Sequence, residues 1–130
     1  MNQTAAQIYQ QNQVKTASPG ELTLMLYNGG IRFSKEAKIA LEKQDVQKAH
    51  QSIIKVQDII RELMVTLDQN VAISEQFMLM YDYMYNRTIE ANLKKDGAII
   101  TEVEEFFVQF RDTWKQAILI ARRQPEGNQI

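Results

Sequence analysis

A chain of 130 residues, 45% hydrophobic and 24% charged, is the size of one domain with a sizeable core, and too apolar to stay disordered over most of its length. Its net charge of −1 gives no electrostatic reason to hold nucleic acid or an anionic membrane, and without cysteine neither a disulfide nor a thiolate metal site can brace the fold. The opening Met1-Asn2-Gln3-Thr4 lacks the basic and apolar regions of a signal peptide, and no apolar run nears the ~18 residues that span a bilayer, so a cytoplasmic protein without membrane insertion is expected.

In chain order, residues 1–17 read as a loosely docked N-terminal arm. Gln10, Gln11, Asn12 and Gln13 have little reason to be buried, whereas Ala5, Ala6, Ile8, Tyr9 and Val14 offer apolar faces. Residues 18–124 read as an all-α, antiparallel up-down four-helix bundle, and 125–130 as a tail. The first helix, 19–43, opens at Ser18-Pro19-Gly20-Glu21, a capping box with proline at the first helical position. Leu22, Leu26, Gly29, Phe33, Ala37 and Ala40 line its inner face. The second, 45–68, starts at Asp45, a good N-cap. Its apolar positions Val46, Ala49, Ile53, Val56, Ile60, Leu63 and Leu67 follow one another in steps of three and four. The third, 74–95, turns Phe77, Met80, Tyr81, Met84, Thr88 and Ala91 inward. Asp96-Gly97 then punctuates the chain, Gly97 suiting a left-handed cap and Asp96 able to cap the next helix. The fourth, 97–123, carries Ile100, Val103, Phe107, Phe110, Trp114, Ala117 and Ala121, and ends before Pro125 and Gly127. Trp114, on that seam, needs a partner for its indole N–H where it is buried.

Catalytic constellations are scarce. His50 is the sole histidine, and no glutamate precedes it by three as in di-metal bundles, so it reads as a flank or surface residue and no metal or cofactor is expected. Neither a nucleophile elbow nor a phosphate loop is present, and no enzymatic activity is expected. Glu102, Glu104 and Glu105 read as compensation of a helix dipole. Gly29-Gly30 inside a helix costs ~1.5–2 kcal/mol relative to alanine. The pair suits either a close helix–helix approach or a shallow seat for a ligand backbone.

The less ordinary feature is a surplus of apolar side chains beside the seams: Leu24, Tyr27 and Ile31 on the first helix, Ile54, Ile59 and Met64 on the second. Met78, Leu79, Tyr83, Tyr85 and Ile89 follow on the third, and Ile99, Phe106 and Ile118 on the fourth. A bundle helix needs an apolar stripe of ~100° or a little more. The excess fits either a broad core or a groove for an amphipathic partner, and methionine and tyrosine suit such a groove. Self-association, including a homodimer, would use the same faces.

Three stretches carry a family resemblance: Tyr9 with Thr16-Ala17-Ser18-Pro19-Gly20-Glu21-Leu22-Thr23-Leu24-Met25-Leu26-Tyr27-Asn28-Gly29, then Met80-Tyr81-Asp82-Tyr83-Met84-Tyr85-Asn86-Arg87 with Glu90-Ala91-Asn92, then Glu102-Val103-Glu104 with Phe110-Arg111-Asp112-Thr113-Trp114-Lys115-Gln116. In order and spacing these resemble the FliS family of flagellar export chaperones across nearly the whole chain. Asn28 stands where the family usually has Asp, and Thr88-Ile89 replaces a more aliphatic pair. The resemblance implies a cytosolic bundle that holds the disordered C-terminal region of flagellin, prevents premature polymerisation and presents it to the export gate protein FlhA. In some bacteria FliW or FlgM is implied as a further partner. It also implies that the arm around Ile8 and Tyr9 covers part of the groove and moves aside. Tyr9, Leu24, Tyr27, Ile31, Tyr85 and Ile89 are the expected partner face, because they lie beside the seams. Ile8 joins them from the arm, and Tyr81 and Asn92 from the family motifs.

Overall fold

The computed structural model describes residues 18–123, and among them the chain is all helix with no strand: α1 Pro19–Glu42, α2 Val46–Thr66, α3 Ser74–Lys94 and α4 Gly97–Arg123. The arm with Ile8 and Tyr9 and the tail lie outside the described residues. Helices α1 and α3 each pack on both α2 and α4, which makes a square. Trp114 late in α4 meets Gly20 early in α1, and His50 early in α2 meets Asn92 late in α3, so neighbouring helices run antiparallel. This is the four-helix bundle that the periodicity predicts.

Local chemistry sets the helix ends. The Ser18 hydroxyl accepts from the Glu21 amide at 3.2 Å and the Asp45 carboxylate from the Lys48 amide at 3.0 Å, each satisfying a donor that the first turn leaves open. Before α4, Asp96 Oδ1 accepts from the Ala98 amide at 2.9 Å. The left-handed cap expected at Gly97 falls instead on Lys95, at φ 52° and ψ 48°. Its ammonium donates to the Asn92 carbonyl at 2.7 Å, which offsets part of the cost of that conformation for a residue with a Cβ. Ile73, at the start of α3, makes no side-chain cap. The link before it is held by the Ser74 hydroxyl on the Asp68 carbonyl and by Asp68 Oδ1 on the Asn70 amide.

Most seam positions hold and four do not. Leu26, Ile53, Val56, Ile60, Met84 and Phe107 are fully buried. Val46 and Met80, expected inside, are exposed, and so are Ala117 and Ala121 near the end of α4. That helix has 27 residues against 21 in α2 and α3, an excess of roughly 9 Å at the standard rise, so its last turns have less to pack on. Conversely Tyr27, Ile31, Ile59 and Ile99, expected beside the seams, are buried. A helix at the corner of a square faces two neighbours, and its buried arc widens to match.

The Gly29-Gly30 pair serves close approach. A Cβ at Gly30 would sit 2.5–2.6 Å from three atoms of the Phe107 ring, and Phe107 is itself fully buried. The ring of α4 therefore lies directly on the backbone of α1.

Charged residues tie the outer edges. Lys38 reaches Glu104 at 2.5 Å from α1 to α4. On the α3–α4 edge Arg87 Nε donates to Glu102 Oε1 at 2.7 Å and its terminal nitrogen to Glu90 Oε1 at 2.6 Å. The Tyr83 hydroxyl donates to Glu102 Oε2 at 2.6 Å and Lys94 Nζ to Glu90 Oε2 at 2.7 Å. Glu102 and Glu104 thus make cross-helix contacts beyond dipole compensation. The Tyr83 and Arg87 hydrogen bonds hold the Glu102 carboxyl below its ordinary range, and Lys94, with Arg87, does the same for Glu90.

Two outcomes follow. Gly30→Ala gains about 1 kcal/mol of helix propensity but must displace a ring with nowhere to go, and overpacking costs about 1–3 kcal/mol. A net loss of stability in urea denaturation is expected. Depressed carboxylate pKa values contribute stability that is complete above the ordinary carboxylate range and lost as pH falls through the lowered values. Arg87→Met should therefore lower the melting temperature at pH 7. Its gap to the parent should narrow as pH drops below about 4, and also in high salt, because the ladder is exposed.

Candidate functional site

The apolar clefts gather at the end where α1 begins, α4 finishes and the α2–α3 link crosses, whereas a cleft of about 320 Å³ at the other end has Glu36, Lys43, Asp45 and Lys48 among its walls. Five aromatic residues gather at the former end: Tyr27, Phe77, Tyr81, Phe110 and Trp114. The pairs Phe77/Tyr81 and Phe110/Trp114 are each four residues apart and so share a helix face. Tyr27 stacks on Phe110 with ring centroids 5.4 Å apart and meets Trp114 edge-on at 6.2 Å. Phe110 also contacts Phe77 and Tyr81, at 5.8 and 5.5 Å. The Tyr27 and Tyr81 hydroxyls hydrogen-bond at 2.7 Å, joining helices diagonally opposed in the square. Burial pushes both phenols upward, so both stay neutral. Trp114 Nε1 donates to the Gly20 carbonyl at 2.7 Å. The indole thus has the partner it requires while being only partly buried.

Rigid rings leave gaps, and here the gaps open outward. One cleft of about 300 Å³ lies under the α2–α3 link, with Tyr27, Tyr81, Leu63, Ile73, Phe77 and Trp114 among its walls. A second, of about 240 Å³, is bounded by Phe77, Met80, Phe106, Phe110 and Trp114. Phe77 and Trp114 form the ridge between them. A third, of about 290 Å³, lies between Leu24 on α1 and Lys115, Ile118 and Leu119 on α4. Gly20 borders the first cleft, and a Cβ there would stand 3.8 Å from both Trp114 Nε1 and Ile118 Cγ1, which links the first cleft to the third. Among the described residues Asp68 is the one charged residue lining the first cleft. Leu119 in the third cleft and Ile120 beside it remain 45% and 52% exposed and extend the apolar surface.

The residues expected to meet a partner do not form one face. Leu24 lines the third cleft, and Tyr27 and Tyr81 line the first. Tyr27, Ile31 and Tyr81 are core residues, 1%, 7% and 2% exposed, which corrects the placement of Tyr27 and Ile31 beside the seam. Tyr85, Ile89 and Asn92 are on the α2–α3 side. Tyr85 is half-buried beneath the Arg61 guanidinium, 5.0 Å from its ring centroid. Asn92 donates to His50 Nδ1 at 2.9 Å while its Oδ1 accepts from Lys95, so it ties α3 to α2. Ile89 is 38% exposed. Ile8 and Tyr9 lie outside the described residues.

Sequence reasoning missed Phe77, Met80, Phe110 and Trp114 as cleft walls because they sit on the seams. It also passed over Val71 and Ile73, apolar residues in a link that stay half-exposed beside the first cleft. Two apolar residues in so short a link were the available signal. Among the described residues no three His, Cys, Asp or Glu side chains converge on a metal-sized site, and no helix is long and apolar enough to cross a membrane.

A family model described as "Flagellar protein FliS" matches residues 1–121. The chain is 48% identical over 120 residues to the flagellar secretion chaperone FliS of Bacillus subtilis, covering 92% of this chain and 90% of that one. It is 34% identical over 114 residues to the Salmonella typhimurium chaperone of the same name, covering 85% and 84%. Against the Escherichia coli FliS chaperone it is 30% identical over 120 residues, covering 90% and 88%.

Proposed function

The chain belongs to the FliS family of flagellar proteins, and on that premise we propose that it is a flagellar secretion chaperone that holds the C-terminal segment of flagellin across the clefted end of the bundle. The observation that carries this reading is the group of three open clefts, two of them sharing Phe77 and Trp114 as walls and the third adjoining the first at Gly20 and Ile118, apolar on most sides. A disordered client loses chain entropy on binding, so one shallow contact does not hold it. Several anchors at helical spacing do, and neighbouring clefts separated by aromatic ridges suit an amphipathic segment. Shielding that segment keeps it from assembling early, and delivery to the export apparatus then follows as a handover of the same surface. The arm bearing Ile8 and Tyr9 joins the bundle at Ser18, at this same end, and covalent attachment keeps it within reach of the clefts as a competitor. Self-association through the same surface is the competing reading.

The test is calorimetric titration with a synthetic C-terminal segment of flagellin from the same genome, with fluorescence of Trp114, the sole tryptophan, as a second signal. Saturable binding with a negative heat-capacity change and an altered tryptophan spectrum is expected. Tyr27→Asp is unsuitable as a probe, because Tyr27 is core. Ile73→Asp suits better. It places a charge at the rim of the first cleft, on a half-exposed residue outside the core. Stability should hold while affinity falls at least about tenfold. No heat and no helix gain with the parent protein, together with a dimer in light scattering, would give the lead to self-association.

A further inference from the structure

Resting on that reading, the hydrogen-bonded hydroxyls of Tyr27 and Tyr81, two residues that line the first cleft, bear on what one anchor of the client carries. A phenol has one O–H to donate and can also accept. When Tyr27 and Tyr81 bond to each other, one donates and the other accepts, so one O–H of the pair has still to be placed. Both side chains are at least 98% buried, and among the described residues neither hydroxyl has any other partner. Buried tyrosine hydroxyls normally find one. Two other hydroxyls at this cleft are already used: Thr66 Oγ1 donates to the Leu63 carbonyl at 2.9 Å, and Ser74 Oγ to the Asp68 carbonyl.

We propose that the first cleft takes a client anchor with a neutral carbonyl acceptor, which receives the remaining O–H of the Tyr27–Tyr81 pair while its apolar part lies against Leu63 and Phe77. The acceptor is neutral because, among the described residues, no lysine, arginine or histidine lines the cleft and the one charged residue is the acidic Asp68. A carboxylate entering there would be desolvated beside a like charge. An asparagine or glutamine side chain and a helix-terminal backbone carbonyl share the required chemistry. The pair thus adds selectivity to a surface that would otherwise accept any apolar side chain of the right size, since a client lacking the acceptor leaves a buried donor unpaired.

Removing both hydroxyls together tests this cleanly. The double variant Tyr27→Phe/Tyr81→Phe keeps the rings and deletes donor and acceptor at once, a change that leaves stability near the parent's when shape is conserved. Its affinity for the flagellin segment should drop about tenfold. The client-side arm uses the unaltered protein, so it reads out even if the double variant folds poorly. Each Asn and Gln of the segment is replaced by Leu or Met, and in a second series backbone amides are replaced by esters, which weakens single carbonyls as acceptors. One substitution should cost about tenfold against the parent protein and nothing against the double variant, the signature of a coupled pair. Which series contains it distinguishes a side-chain amide from a backbone carbonyl. Equal affinity of the parent and double variants would mean that water or residues 1–17 serve the hydroxyl equally in both states, and overturns the inference. So does a complete series in which no substitution matters to the parent protein. If the parent protein fails to bind the segment at all, the chaperone reading falls first and takes this inference with it.

Discussion

The separation of helix axes in a bundle is set by what stands between them, and here that material changes character along its length. At the end where α1 finishes, the inner positions include Ala37, Ala40, Ala49 and Ala91, all buried. In the middle Gly30 presents bare backbone to the Phe107 ring. At the other end Tyr27, Phe77, Tyr81, Phe110 and Trp114 fill the same space. Small side chains interdigitate closely, whereas five rings cannot all meet face to edge without leaving gaps. The clefts follow from that gradient in side-chain size. Nothing at the aromatic end needs to move to create them.

Polar groups reinforce the same division. On the α3–α4 edge, Arg87 and its carboxylates hold the helices by exposed contacts that solvent can replace. At the aromatic end the bonds are few and directional: Trp114 to the Gly20 carbonyl, Tyr27 to Tyr81. The first fixes α4 against the opening turn of α1, next to the point where the N-terminal residues join. The second reaches across the diagonal, where in a square bundle only long side chains can meet. Each bond orients a ring that is also a cleft wall, so the shape of the surface and the satisfaction of its polar atoms are one arrangement.

The fold was legible because it depends on periodicity and end chemistry, both local. Ser18, Asp45 and Asp96 act as caps as their side chains suggest, and most seam positions hold. What could not be read was depth. Tyr27 and Ile31 fall beside Leu26 and Phe33 on the helix surface, and whether such a position is core depends on where a second neighbour stands. Tyr81 and Phe77 are equivalent by spacing, yet one is buried and the other opens onto two clefts. The left-handed residue before α4 was misplaced for a related reason. Glycine is the default for that conformation, but Lys95 has a local acceptor in Asn92 that makes the conformation tolerable, and such compensation is invisible until side chains have positions.

On the proposed reading the clefted surface accepts and later releases a disordered segment, so it cannot be packed as tightly as a core, yet the protein must stay folded while that surface is empty. Marginal stability makes these demands compete within any one region. Here they are separated along the bundle axis. The buried alanines and the Gly30–Phe107 contact bring the helices close together, and they permit the other end to keep rings with unfilled space between them. Adaptable residues then sit where adaptation is useful. Met80 lines the second cleft and Leu119 the third, both part-exposed and free to change rotamer as a segment settles. On that reading close helix contact and apolar clefts fall toward opposite ends of the same four helices, the cleft at the alanine-bearing end being lined mostly by charged residues, and the gradient in side-chain size sets the boundary between them.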